Sequence, residues 1–169
     1  MSELFVLILV FAVALIIAGL RIANQYQRAV VFRLGKLQGI RGPGLYWIIP
    51  MIEWQQTIDI RTITTSVDQQ ETITKDNVPV KVTVVIWYAV TDPVRSVVEV
   101  RDVDKSVIQV ALTSMRNIIG RHTLDDVLKE QERLGADMRQ TIDSATEPWG
   151  VKVTRVEMRN VEIPESMQR

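Results

Sequence analysis

The sequence predicts an α+β fold set behind an apolar N-terminal helix. Three observations carry this: an uncharged run from Leu4 to Leu20, β-patterned segments as far as Val90, and a switch to three/four apolar spacing before one last alternating strand.

The N-terminal run, LFVLILVFAVALIIAGL, lies between Glu3 and Arg21. As a helix it is about 26 Å long at ~1.5 Å per residue, close to a hydrocarbon core of roughly 30 Å once its flanks are added. Thirteen of its seventeen residues are Leu, Ile, Val or Phe, supplying on the order of −4 to −8 kcal/mol toward insertion. A cleaved signal peptide needs basic residues before the apolar run, and only Glu3 and the α-amino group stand there. A buried core helix needs a polar stripe, and this one is apolar all round. Behind it come Arg21, Arg28, Arg33, Lys36 and Arg41, with no acidic residue until Glu53. The positive-inside bias then puts the bulk of the chain on the cytoplasmic face, and the five basic residues are candidate headgroup contacts at about 1 kcal/mol each. A segment of this length either spans the bilayer once or enters one leaflet and turns back.

After the helix, QRAVVFRLG reads as a strand through Leu34, followed by a Gly/Lys turn and the punctuation of Gly42-Pro43-Gly44. From Gln55 the β signal resumes: TIDIRTITT and QETITKD alternate, and VPVKVTVVIWYAV is a long β-branched strand, with Asp76-Asn77 turning the last two into a hairpin. Between these stretches sits GPGLYWIIPMIEW, whose Leu45, Tyr46, Trp47, Ile48, Ile49, Met51, Ile52 and Trp54 are candidate membrane contacts. Pro43 and Pro50 prevent a spanning helix, and an irregular backbone crossing lipid would leave amides unsatisfied. The loop is therefore either a shallow bilayer insert, with Arg41 and Glu53 as polar stops, or part of the β core.

The period changes at Asp92-Pro93, an N-cap followed by proline in the first turn, so DPVRSVVEV is a short helix. A longer helix follows from about Asp104 to Ile119, with Val107, Ile108, Ala111, Leu112, Met115, Ile118 and Ile119 on one stripe and Gly120 as its C-cap. Thr123 caps its partner, which carries Asp125 and Asp126 in the first turn and runs through Leu128, Met138 and Ile142 to about Thr146. This helical pair packs on the sheet. The final strand, VKVTRVEMRNVEI, slips register near Asn160, where a bulge is expected, and Ile163-Pro164 ends it.

Charge and chemistry exclude several function classes. Twenty basic and twenty acidic side chains balance, giving no electrostatic case for nucleic acid. Cysteine is absent, removing disulfides, thiolate nucleophiles and thiolate metal sites. His122 is the single histidine, in a helix-helix turn without a second ligand nearby. No phosphate loop or serine elbow occurs, and Ser106 beside Lys105 diverges from it by about 100° on a helix. The acid pairs Asp102/Asp104 and Asp125/Asp126 stand at helix N-termini, where capping explains them. Trp149 is a core aromatic at a helix end. No cofactor or metal is called for. The competing class is a membrane-tethered hydrolase with an unrecognised site.

Four segments occur in order: QRAVVFRLGKLQGIRGPGLYWIIPMIE, TKDNVPVKVTVVIWYAVTDP, LTSMRNIIGRHTLDDVL and WGVKVTRVEMRNVEIPESMQR. In these the chain resembles the stomatin/prohibitin/flotillin (SPFH, or band 7) superfamily, and within it the stomatin-like slipin branch. The resemblance implies a non-enzymatic membrane scaffold divided into an anchor (1–22), a membrane-proximal β-rich subdomain (23–69) that dips into the bilayer, and an α+β subdomain (70–164). It implies residues 165–169 opening a helix or coiled coil, self-assembly into a ring or cage, and partners among membrane lipids and a membrane-bound protease or channel. Stomatin itself bends its apolar segment with a proline; none stands between Leu4 and Leu20, which favours a span.

Overall fold

The computed structural model describes residues 2–163. It divides into two compact units, Met1–Ile60 and Arg61–Arg169. The division falls after Ile60 rather than at 69/70, because Ile63–Ile73 is one continuous strand that a boundary at 69 would cut. The helix expected after Pro164 lies outside the described residues.

In the first unit, helix α1 (Ser2–Gly19) leads into strand β1 (Leu20–Ala23), then β2 (Gln27–Arg33), β3 (Lys36–Arg41), β4 (Gly44–Trp47) and β5 (Glu53–Asp59). The apolar run forms the helix that its composition predicts, but the helix stops at Gly19. The expected anchor, 1–22, thus loses its last three residues to a strand, because LRIA alternates apolar and polar side chains and finds a partner in β4. Among the described residues no helix is long and apolar enough to cross a membrane. The 18 residues of α1 measure about 27 Å at ~1.5 Å each, short of a hydrocarbon core of roughly 30 Å.

Two antiparallel sheets follow, a β1-β4 ribbon and a three-stranded sheet of order β3-β2-β5. The stretch read as a Gly/Lys turn is a tight turn at Leu34-Gly35 followed by strand β3. A one-residue register shift opposite Val31/Phe32 resets the alternation in β3. The central strand β2 buries Ala29, Val30, Val31 and Phe32 on both faces.

The second unit is the α+β part. Strands β6 (Ile63–Ile73), β7 (Pro79–Val90) and β8 (Val151–Glu162) form an antiparallel sheet of order β6-β7-β8. Between β7 and β8 come α2 (Pro93–Val98), α3 (Val103–Ile119), α4 (Leu124–Lys129), α5 (Gln131–Thr146) and a 3-10 turn at Glu147–Trp149. One face of β7, with Val80, Val82, Val84, Ile86 and Tyr88 fully buried, packs in a single core with Met115 and Ile119 of α3, Leu134, Met138 and Ile142 of α5, and Val153 of β8. Asp92 and Asp102 cap α2 and α3 as their types require, and Thr123 with Asp126 closes a reciprocal capping box on α4.

The second member of the expected helical pair is broken. Glu130, at φ −109 and ψ 33, separates α4 from α5. From Lys129 to Arg133 the chain reads KEQER, so no apolar side chain ties that turn to the core, and α5 is free to take its own line against β8. Gly135 sets that line: a Cβ there would stand 2.9 Å from the Val156 carbonyl oxygen. The Asp143 carboxylate accepts the Val153 amide at 3.0 Å, so α5 also covers part of the β8 edge. The bulge read at Asn160 is present: Asn160 has φ 48, and the register with β7 shifts between Thr83↔Arg159 and Lys81↔Glu162.

Candidate functional site: an apolar ribbon joined to the N-terminal helix

Strands β1 and β4 pair with Leu20 opposite Trp47, Arg21 opposite Tyr46, Ile22 opposite Leu45 and Ala23 opposite Gly44. Directly paired residues share a face, so Leu20, Ile22, Leu45 and Trp47 form one side of the ribbon. That side is open: Ile22 is 74% and Leu45 65% exposed, and Trp47 44%. Helix α1, with exposed leucine, isoleucine, valine and phenylalanine along its length, runs straight into it. The opposite side is mixed, with Arg21 and Gly44 exposed and Ala23 and Tyr46 turned inward. Ala23 is buried, and the Tyr46 hydroxyl donates to the Gln55 carboxamide oxygen on β5.

Past β4 the chain makes a tight turn at Pro50-Met51. The Ile52 and Glu53 amides both donate to the Ile49 carbonyl, at 3.3 and 2.9 Å. Met51, at φ 69, is held out at the tip with 97% of its surface exposed. Glu53 fixes the turn from below, since its side chain is only 4% exposed. One carboxylate oxygen accepts the Ile49 amide at 2.8 Å, and the other pairs with the Arg33 guanidinium at 2.7 Å. The Ile49 amide and the Arg33 guanidinium hold this carboxyl below the usual glutamate range. Trp54, next in sequence, stacks on Phe32 with ring centroids 4.4 Å apart.

The candidate contacts thus separate into groups. Leu45 and Trp47 belong to the ribbon face, Met51 and Ile52 to the turn, and Trp54 to the three-stranded sheet. Tyr46 faces β5. Ile48 is a core residue, 6% exposed, because the chain leaves the ribbon there and its amide bonds to the Gly19 carbonyl at 2.9 Å; Ile49 is half-buried. The sequence reading missed Leu20 and Ile22, which it absorbed into the anchor. Their signal was the alternation of Leu20-Arg21-Ile22-Ala23, masked by the apolar run in front of it.

The basic residues do not gather. Arg28 donates to the carbonyls of Gln25 and Gln27, at 2.9 and 2.8 Å, and Arg33 is engaged with Glu53. Arg21, Lys36 and Arg41 are exposed. Lys36 and Arg41 stand at opposite ends of β3, about 16 Å apart at ~3.3 Å per residue.

The acids and serine of the sequence search have structural positions. Asp102 accepts the Lys105 amide at 3.1 Å, Asp104 accepts the Tyr88 hydroxyl, and Asp125 pairs with Lys129 at 2.7 Å. Lys105, the neighbour of Ser106, pairs with Asp102 at 3.1 Å. The His122 carbonyl accepts the Lys75 amide at 2.9 Å, tying the β6-β7 hairpin tip to the turn before α4. Among the described residues no cluster of His, Cys, Asp or Glu is arranged to hold a metal.

Comparison with known proteins bears on this arrangement. The model of the SPFH domain / Band 7 family matches residues 21–169. The chain is 48% identical over 162 residues to an uncharacterized protein of Archaeoglobus fulgidus, covering 96% of this chain and 65% of that one. It is 45% identical over 163 residues to a stomatin homologue of Pyrococcus abyssi, covering 96% and 61%. With Stomatin-1 of Caenorhabditis elegans it shares 46% identity over 151 residues, covering 89% and 46%. The chain therefore spans under two thirds of the length of these relatives.

Proposed function

The chain belongs to the SPFH domain / Band 7 family, and from that premise we propose that it is a non-enzymatic membrane scaffold of the stomatin-like, slipin type. The observation that supports this reading is the ribbon face of Leu20, Ile22, Leu45 and Trp47, continuous with an apolar helix and open to its surroundings. Exposed apolar surface that runs on into an apolar helix is favourable only against another apolar phase.

In this reading α1 enters the bilayer and the ribbon lies in the headgroup region, with Met51 and Ile52 beside it as shallow contacts. Because α1 is slightly shorter than the hydrocarbon core, a span requires local thinning of the bilayer; otherwise the helix occupies one leaflet. Arg21, Lys36 and Arg41 are free to meet anionic headgroups, on the cytoplasmic face if the positive-inside bias holds. The first unit is then membrane-proximal and the second is the α+β subdomain. Self-assembly into a ring or cage, a coiled coil following residue 164, and the binding of a membrane-bound protease or channel complete the proposal.

Light scattering on the detergent-solubilised protein tests the assembly half of it. A large homo-oligomer is expected; a monomer at all concentrations would remove the basis for a scaffold. Serine-hydrolase probes test the competing class, and labelling abolished by a single serine-to-alanine change would establish it.

A further inference from the structure

Helix α1 leaves carbonyls without partners at its C-terminus, as every helix does. Two of them are taken up by the last residue of β4 and the residue after it. The Trp47 indole N–H donates to the Ile16 carbonyl at 3.1 Å, and the Ile48 amide donates to the Gly19 carbonyl at 2.9 Å. Gly19 itself is buried, and a Cβ on it would fall on the Trp47 indole nitrogen and the Ile48 carbonyl oxygen. The helix end is thus seated in a slot that only glycine admits, with the indole as its cap. From the same strand, Tyr46 reaches the other way to Gln55 of β5.

We propose that α1 and the β1-β4 ribbon move as one rigid lever, with Trp47 as the positioning residue that fixes the angle between them. A flexible tether would let the helix change tilt without consequence for the strands. A helix seated through Trp47, Gly19 and Ile48 carries the ribbon with it, and the Tyr46 contact passes the movement to β5. Trp47 spends its indole N–H on the helix, while the exposed part of its ring stays on the ribbon face. The lever is intramolecular and does not depend on the membrane reading: it predicts the same result in detergent micelles as in bilayers. Failure of vesicle binding would count against the scaffold proposal and leave the lever standing.

The chain has no cysteine, so spin labels go only where cysteines are placed. Labels at Phe11→Cys in α1 and Gln56→Cys in β5 should give a single narrow distance peak in micelles. Trp47→Phe keeps an aromatic ring and removes the N–H; Gly19→Ala fills the slot. Each should lose the narrow peak, whereas the control Trp54→Phe, which retains the stack on Phe32, should keep it. Amide hydrogen exchange separates loss of the lock from general unfolding. In Trp47→Phe, exchange at Ile48 should rise while the β2-β5 amides stay protected. A narrow peak surviving in Trp47→Phe overturns the proposal, as does an equal rise in exchange across β2, β5 and Ile48.

Discussion

Replacing the two most exposed residues of the ribbon face, Ile22 and Leu45, by serine addresses the membrane reading with a magnitude attached. Burying an aliphatic side chain of this size completely is worth about 1.5–3 kcal/mol. With 74% of Ile22 and 65% of Leu45 still exposed, lipid contact has about 1–2 kcal/mol left to gain at each. The double variant should therefore weaken ribbon apposition by about 2–4 kcal/mol, roughly 30- to 700-fold at 1.4 kcal/mol per decade. Helix α1 would keep the variant on the membrane, so flotation is insensitive to the change. An environment-sensitive fluorophore on Met51→Cys, at the tip of the adjoining turn, reads it directly. In vesicles the label should emit as in an apolar medium on the parent background and as in water on the Ile22→Ser/Leu45→Ser background. Both residues are exposed, so thermal stability should change little. Identical emission in the two backgrounds would refute the reasoning and leave the exposed face without a lipid contact.

Other predictions concern the second unit. Gly150 sits at φ +69, and a Cβ there would come within 2.6 Å of the Asp92 carbonyl oxygen; Gly150→Ala should cost about 2–4 kcal/mol from left-handed strain and overpacking, seen as a lower denaturation midpoint. Thr123→Ala removes one arm of the capping box on α4 and should cost about 1 kcal/mol by the same measurement. Asp102, Asp126 and Asp143 are held below the usual aspartate range: Asp102 chiefly by the Lys105 amide, Asp126 by the Thr123 hydroxyl, and Asp143 by Lys152 and the Val153 amide against the opposing effect of burial. As pH falls the unfolded chain takes up these protons first, so their stabilisation should be complete above pH ~5 and fade below it, seen as a declining melting temperature on acid titration. A melting temperature unchanged from pH ~6 to pH ~3 would contradict that assignment.

The second unit was legible because its signals are local and agree with one another. Asp92-Pro93, Asp102 and Thr123 mark helix starts, the α3 stripe marks a buried face, and Asn160 marks the bulge. The break at Glu130 was not legible, since it depends on how α5 meets Gly135 and Val156 across the fold. In the first unit the apolar helix and β2 were plain, but β1, β3 and β4 are strands of four to six residues, too short for periodicity to register. The site suffered most from this. Leu20 and Ile22 read as the tail of the anchor until pairing with β4 gives them a face, and Ile48 reads as a contact until its bond to Gly19 turns it inward. Arg28 and Arg33 look free in the sequence because their partners, two nearby carbonyls and a buried Glu53, follow from the fold.

Electron microscopy of the full-length protein reconstituted in lipid bilayers tests the central claim most directly. A closed homo-oligomer with α1 inside the bilayer and the Leu20, Ile22, Leu45, Trp47 face against the headgroups is the predicted image. A monomer or open array whose ribbon face is covered by protein, away from lipid, would contradict it.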